Sequence, residues 1–178
     1  MCPIVHALLK DVLFGLATVL FLRFFVGHLS RVDGNSMLPI LQNKDWVLVW
    51  RFPYLFRTPR RQEVVICHYP GRRMRRCKWL PQHFVKRVIG LPGETVEHIE
   101  GEVHINSRPL YEPYLDPERC RYKRTRPTKE LGPNEFYVMG DNRDLSNDSR
   151  SVGPIRRRAI RGQAVCIIWP PKRWQKIR

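Results

Sequence analysis

Acid is what this chain has least of: 16 Asp and Glu stand against 32 Lys and Arg in 178 residues, for a formal charge of +16. Such a surface draws polyanions or anionic lipid headgroups. Cysteine is sparse as well. Cys2, Cys67, Cys77, Cys120 and Cys166 are odd in number and form no C-x-x-C pair. That excludes an ordinary zinc site and a fully paired disulfide framework, though one bridge stays open. No internal repeat is visible. No aromatic-interleaved basic stretch offers bases a stacking surface, so nucleic acid is not an expected partner. Helical patterning is nearly missing: outside the N-terminal region only "PIRRRAIRG" (154–162) reads as a helix. What is present is 43% hydrophobic residues, enough for a real core, in a length that suits one compact domain plus a short appendage.

The appendage opens the chain. From Val12 to Leu29 only Arg23 and His28 are strongly polar. A membrane span needs about 20 mostly apolar residues. No A-x-A cleavage pattern follows, so the run predicts a retained anchor over 1–29 rather than a removed signal peptide. Lys10, Asp11 and Arg23 keep a buried or amphipathic helix in play. Orientation is not fixed by charge, because long domains translocate largely regardless of it.

The remainder, 30–178, reads as a mostly β domain. "DWVLVW" (45–50), "EVVICHY" (63–69), "HFVKRVIGL" (83–91), "EFYVMGD" (135–141) and "AVCIIW" (164–169) predict strands by their β-branched and aromatic content. Alternation broken at Gly101 predicts a hairpin over 94–110. A Pro- and Arg-rich excursion spans 112–133, and a basic loop, "PGRRMRRCKWLPQ", spans 70–82.

Three stretches carry chemistry. "GNSMLP" (34–39) puts Ser36 and Met37 after a Gly-Asn turn. A serine nucleophile needs a base, and none of the six histidines sits in a suggestive context. Lys86 does, inside "FVKRVIG" on a predicted central strand beside Arg87. Lysine is rarely buried without a partner. Burial disfavours its charged form, and a neutral lysine can take a serine proton. The plainer readings are a solvated turn hydroxyl and an edge lysine that blunts aggregation. The third stretch, "GDNRDLSNDSR" (140–150), lacks the glycine and terminal glutamate of a calcium loop, so internal Asp–Arg pairing suits it better.

Together, in this order, these stretches resemble the type I signal peptidases, a family of Ser-Lys membrane proteases. "FVKRVIGLPGETVE", "FYVMGDNR", "INSRPLYEPYL" and "IIWPP" extend the resemblance from the anchor almost to the C-terminus. It implies a transmembrane helix followed by a coiled, antiparallel β-barrel-like catalytic domain, with no metal and no cofactor. Ser36 would attack the scissile carbonyl and Lys86 would serve as general base. The backbone N–H of Ser36 would face the oxyanion. Ser146 would orient the Lys86 ammonium. Asp148 would pair with Arg150 and with Arg87, a supporting role that Met37 and Gly34 share. At Gly34 some members carry a hydroxyl that would supply a second oxyanion donor. Ile40 and Leu145 stand where threonine and asparagine are common. The implied substrate is the signal peptide of an exported preprotein, bound as an added β-strand. The longer matches look bacterial, implying a single-pass protein of the cell membrane with its catalytic domain on the outer side. "IIWPPKRWQ" leaves a mitochondrial inner-membrane protease open. Two other readings stand beside these: a membrane-tethered basic binding protein without catalysis, and a self-cleaving repressor, which would carry a DNA-binding region in place of the apolar run. The basic loop is expected to meet anionic membrane lipids, with Trp79 at the interface.

Overall fold

The computed structural model describes residues 3–25, 27–73, 81–121 and 123–177. The membrane-facing basic loop expected around Trp79 falls largely on 74–80 and lies outside the described residues, as do Cys2 and Cys77. Cys67, Cys120 and Cys166 are free thiols.

The apolar run folds as α1 (Pro3–Phe25). Val12, Leu13, Phe14, Leu16, Val19, Leu20 and Phe21 are exposed, so apolar side chains cover consecutive positions right round the helix. Among the described residues, however, no helix is long and apolar enough to cross a membrane. Asp11 and Arg23 bracket an uncharged stretch, residues 12–22. The helix also ends before the predicted boundary, and residues 28–31 form a strand instead.

Twelve strands follow: β1 (His28–Arg31), β2 (Trp46–Trp50), β3 (Val64–Arg73), β4 (Pro81–Gly90), β5 (Thr95–Ile99), β6 (Glu102–Ile105), β7 (Arg108–Pro109), β8 (Arg126–Glu130), β9 (Glu135–Met139), β10 (Ile155–Arg156), β11 (Ile160–Trp169) and β12 (Gln175–Lys176). The larger sheet runs β1-β2-β11-β3-β4-β9-β10, with β12 on β11; the smaller runs β7-β6-β5-β8. Every pairing is antiparallel. The mostly β expectation holds, but neither path returns to its first strand, so the expected barrel is an open pair of sheets.

Two segments differ from the sequence reading. The stretch 154–162 is not a helix: β10, one 3-10 turn and the start of β11 occupy it. Ile155 pairs with Phe136, and Ile160 pairs with Cys67. Sheet pairing of its apolar residues overrides the helical propensity of its arginines. The excursion 112–133 contains a strand, β8, where Pro127 and four charged or polar side chains conceal an exposed sheet edge.

The start of strand β3, Val64–Cys67, is continuously apolar because both of its faces are covered. Val64 and Ile66 join one core cluster with Met37, Leu41, Val47 and Ile167. Val65 and Cys67 join another with Val88, Phe136 and Val138. Strand β4 is paired on both sides, to β3 and β9, and every residue from Lys86 to Gly90 is buried.

Candidate active site

Ser36 sits on the turn between β1 and β2. Val32 N donates to Asp45 O at 2.8 Å and Lys44 N to Val32 O at 2.9 Å, closing the base of that turn. Met37, 1% exposed, and Leu41 plug its far end into the core, so Met37 serves the fold. Gly34 has φ +100°, a conformation that side-chain-bearing residues rarely adopt. Its N–H donates to Asn43 Oδ1 at 3.2 Å. The backbone thus accounts for glycine at the position where a hydroxyl is sometimes found. Sequence reasoning missed the clamp beneath this turn: Arg173 donates to Asp45 Oδ2 at 3.0 Å and to the Ile40 carbonyl at 3.1 Å.

Lys86 reaches the turn from β4. Its Nζ and Ser36 Oγ form a hydrogen bond of 2.7 Å. Lys86 is 2% exposed and, among the described residues, has no ion pair. Burial pushes its ammonium below the ordinary lysine range. The Asp148 and Asp141 carboxylates resist that shift, and the Arg150 charge assists it. Cys67 is itself pushed up to about 12 by burial, so it stays a thiol.

The segment 140–150 closes over this pair. Asn142 N donates to Ser36 O at 3.1 Å, and Asn142 Nδ2 to Asn35 O at 3.2 Å, tying the segment to the turn. A methyl on Gly140 would strike both the Ser36 carbonyl and Ser146. Asp148 accepts from Gly140 N at 3.0 Å and, at 2.8 Å on each oxygen, from the Arg150 guanidinium. Burial works against the Asp148 carboxylate, but the Arg150 hydrogen bonds and charge outweigh it and hold its carboxyl below the usual range. The expected Asp148–Arg150 pairing is therefore present. Ser146 also favours the Asp148 carboxylate, by proximity rather than by a well-formed bond, because Ser146 Oγ is buried with no hydrogen-bond partner. The expected Ser146–Lys86 bond is thus not formed here.

Arg87 departs from expectation. Successive side chains of a strand take opposite faces, so it points away from Lys86. It binds Asp141, not Asp148, at 2.9 and 2.6 Å, donates to Gln62 O at 2.8 Å, and lies 3.8 Å from the Tyr114 ring centroid. Next along, Arg143 donates to Glu112 at 3.0 Å and to Gly140 O at 3.1 Å. Glu112 and Tyr114 open the 112–133 excursion, which therefore braces 140–150 from outside. Asp141, Asn142 and Glu112 lie within the sequence motifs, which assign them no role. Their partners are remote along the chain, and only residue type hinted at pairing.

A hydroxyl and a desolvated amine in contact, over a closed polar loop, form a constellation for acyl transfer. The sequence relationships agree. The family model described as signal peptidase, peptidase S26, matches residues 5–169. The chain belongs to the signal peptidase family, peptidase S26. Signal peptidase I of Leptolyngbya laminosa is 38% identical over 166 residues, covering 89% of this chain and 78% of its own. Probable signal peptidase I-1 of Synechocystis is 36% identical over 163 residues, 91% of this chain and 81% of its own. Signal peptidase I S of Bacillus subtilis is 32% identical over 170 residues, 90% and 87%.

Proposed function

We propose that this protein is a serine endopeptidase that removes signal peptides from exported preproteins, with Ser36 as nucleophile and Lys86 as general base. The observation that carries the reading is the 2.7 Å contact between Lys86 Nζ and Ser36 Oγ inside an apolar surround. In the proposed sequence neutral Lys86 takes the hydroxyl proton as Ser36 Oγ bonds to the scissile carbonyl carbon. The ammonium then returns that proton to the departing amine, leaving an acyl-enzyme. Water, deprotonated by the same lysine, releases the acid and restores the hydroxyl. The Ser36 N–H is the proposed oxyanion donor. With glycine at 34, a second donor must be backbone or solvent.

In this reading α1 tethers the domain to a membrane. Apolar side chains around the whole helix support that role, and the anionic lipids expected from the +16 charge would strengthen it. The part from His28 onward is the catalytic domain. The bacterial sources of the relatives favour the bacterial cell membrane, with the catalytic domain on the outer side, over the mitochondrial inner membrane.

The test is cleavage of a preprotein in detergent by the wild type and by Ser36→Ala. Release of mature protein by the wild type alone is expected; equal cleavage by the variant would sink the assignment. Alkaline carbonate extraction of cell membranes, compared with a chain begun at residue 27, reads the tether.

A further inference from the structure

Asn142 is buried, and each end of its side-chain amide has one use. Its Oδ1 accepts from Leu145 N at 3.3 Å, and its Nδ2 donates to Asn35 O at 3.2 Å. Turning the amide over would set donor against donor at one end and acceptor against acceptor at the other. Asn35 O belongs to the same peptide unit as the Ser36 N–H. That unit is trans, since the cis bonds among the described residues are Leu38–Pro39 and Trp169–Pro170. In a planar trans unit the C=O and the N–H point in opposite directions, so holding the oxygen aims the hydrogen. Little else aims it. The other donor to Asn35 O among the described residues is Leu38 N, at 3.4 Å and from the same turn. Gly34, at φ +100°, has no side chain to restrict the chain just before Asn35. The Ser36 N–H itself has no hydrogen-bond partner among the described residues.

We propose that Asn142 is a positioning residue for the oxyanion: through Asn35 O it aims the Ser36 N–H at the substrate oxygen that gains charge. The inference rests on the reading of Ser36 as nucleophile and of its N–H as oxyanion donor. With glycine at 34, that N–H is the one donor assigned on the chain, so its direction bears directly on the rate. The bond to Asn35 O also polarises the peptide unit and strengthens its N–H as a donor. The main-chain bond from Asn142 N to Ser36 O, 3.1 Å, remains when the side chain is replaced. The aim of the peptide is therefore separable from the docking of 140–150 on the turn.

The test compares the full chain, Asn142→Ala and Asn142→Asp in detergent, each on the alkaline plateau of its own pH–rate profile. Asn142→Asp keeps the oxygen that Leu145 N uses and loses the donor to Asn35 O, so it decides the matter should Asn142→Ala not fold. One readout is kcat and KM for a peptide spanning a signal-peptide cleavage site. The other is inhibition by the matching peptide aldehyde, which Ser36 Oγ attacks to form a tetrahedral hemiacetal. Both variants should lower kcat about ten- to a hundredfold, leave KM within about twofold, and weaken the aldehyde by a factor similar to the loss in kcat. Unchanged aldehyde inhibition overturns the proposal. So does a deficit confined to pH values below the plateau, which would assign Asn142 to the Lys86 titration instead. Failure of the underlying reading looks different: Ser36→Ala would then bind the aldehyde as tightly as the wild type.

Discussion

Lys86 and Arg87 are neighbours, both cationic and both at most 2% exposed on the same central strand, yet they live in opposite worlds. Arg87 is saturated: two bonds to Asp141, one to the Gln62 carbonyl, and an aromatic ring against its face. Lys86 makes one hydrogen bond, to a hydroxyl. A buried charge needs an opposite charge and hydrogen bonds, or it gives up the charge. Arg87 takes the first course, because guanidinium does not deprotonate in proteins. Lys86 has no such carboxylate among the described residues, and burial lowers its pKa instead. The difference lies in which loop residues each strand face meets, and it separates a structural cation from the proposed general base.

The sharpest way to break this contrast is to remove the reactive side. Ser36→Ala and Lys86→Met should each lower peptide cleavage about a thousandfold or more, and the double variant should be little worse, since the two groups act as one unit. Stability should move the other way. With its folded-state pKa lowered, Lys86 binds fewer protons folded than unfolded between those two values, so it costs stability at neutral pH and ceases to cost it as pH rises above the ordinary lysine range. Lys86→Met should therefore melt no lower than the wild type at pH 7. A drop of several degrees would show that Lys86 is charged and held by a partner.

Breaking the saturated side should have the reverse signature. Asp141→Ala leaves Arg87 buried without its carboxylate. Removing one member of such a pair costs about 3–5 kcal/mol. Urea unfolding should show it as a lower midpoint with an unchanged slope. Loss of activity without loss of stability would instead place Asp141 among the reacting groups.

The same contrast explains what was readable beforehand. Lys86 could be picked out because a lysine among Val85, Val88 and Ile89 conflicts with local pattern, and such conflicts concentrate at functional sites. The Asp148–Arg150 pair is two residues apart and was legible too. Arg87 was misassigned because its partner Asp141 is 54 residues away, one of several acids in one segment. Strand alternation says that Lys86 and Arg87 must diverge, but not which acid waits on each side. The cation that helps depress Lys86 is likewise Arg150 across the loop, not the adjacent Arg87. Strand β8 reads as loop and the 154–162 segment as helix because their polar sequences are shaped by pairing partners supplied from elsewhere in the fold.

The electrostatics around Lys86 can be adjusted without touching the lysine. Asp148 favours its ammonium most, with Asp141 on the same side and Arg150 opposed. Asp148→Asn removes one negative charge, so the lysine should lose its proton at still lower pH. Because the base works when neutral, the acid limb of the pH–rate profile should move toward lower pH. The variant will be less stable, since Arg150 loses its partner. A limb that moves to higher pH would mean that releasing Arg150 does not matter and that another carboxylate has swung in beside the lysine.

The smallest effect is expected at Ser146, and it tests whether the site is complete at rest. When Lys86 takes the Ser36 proton it acquires three N–H donors, and the structure supplies one hydrogen-bond partner. The Ser146 hydroxyl lies next to Asp148, buried and without a hydrogen-bond partner among the described residues; in the proposed mechanism it is the acceptor held in reserve for the ammonium. A hydrogen bond to a charged group is worth about 1.5–3 kcal/mol. If that bond forms only while the lysine is protonated, Ser146→Ala should lower kcat roughly ten- to a hundredfold with little change in KM. Because the hydroxyl has no resting partner, thermal stability should stay within about 0.5 kcal/mol of the wild type. Ser146→Thr, which keeps the oxygen, should recover part of the rate if its methyl fits against Gly140. An equal fall in rate and stability in Ser146→Ala would show a packing role instead, and an unchanged kcat would show that solvent serves the ammonium.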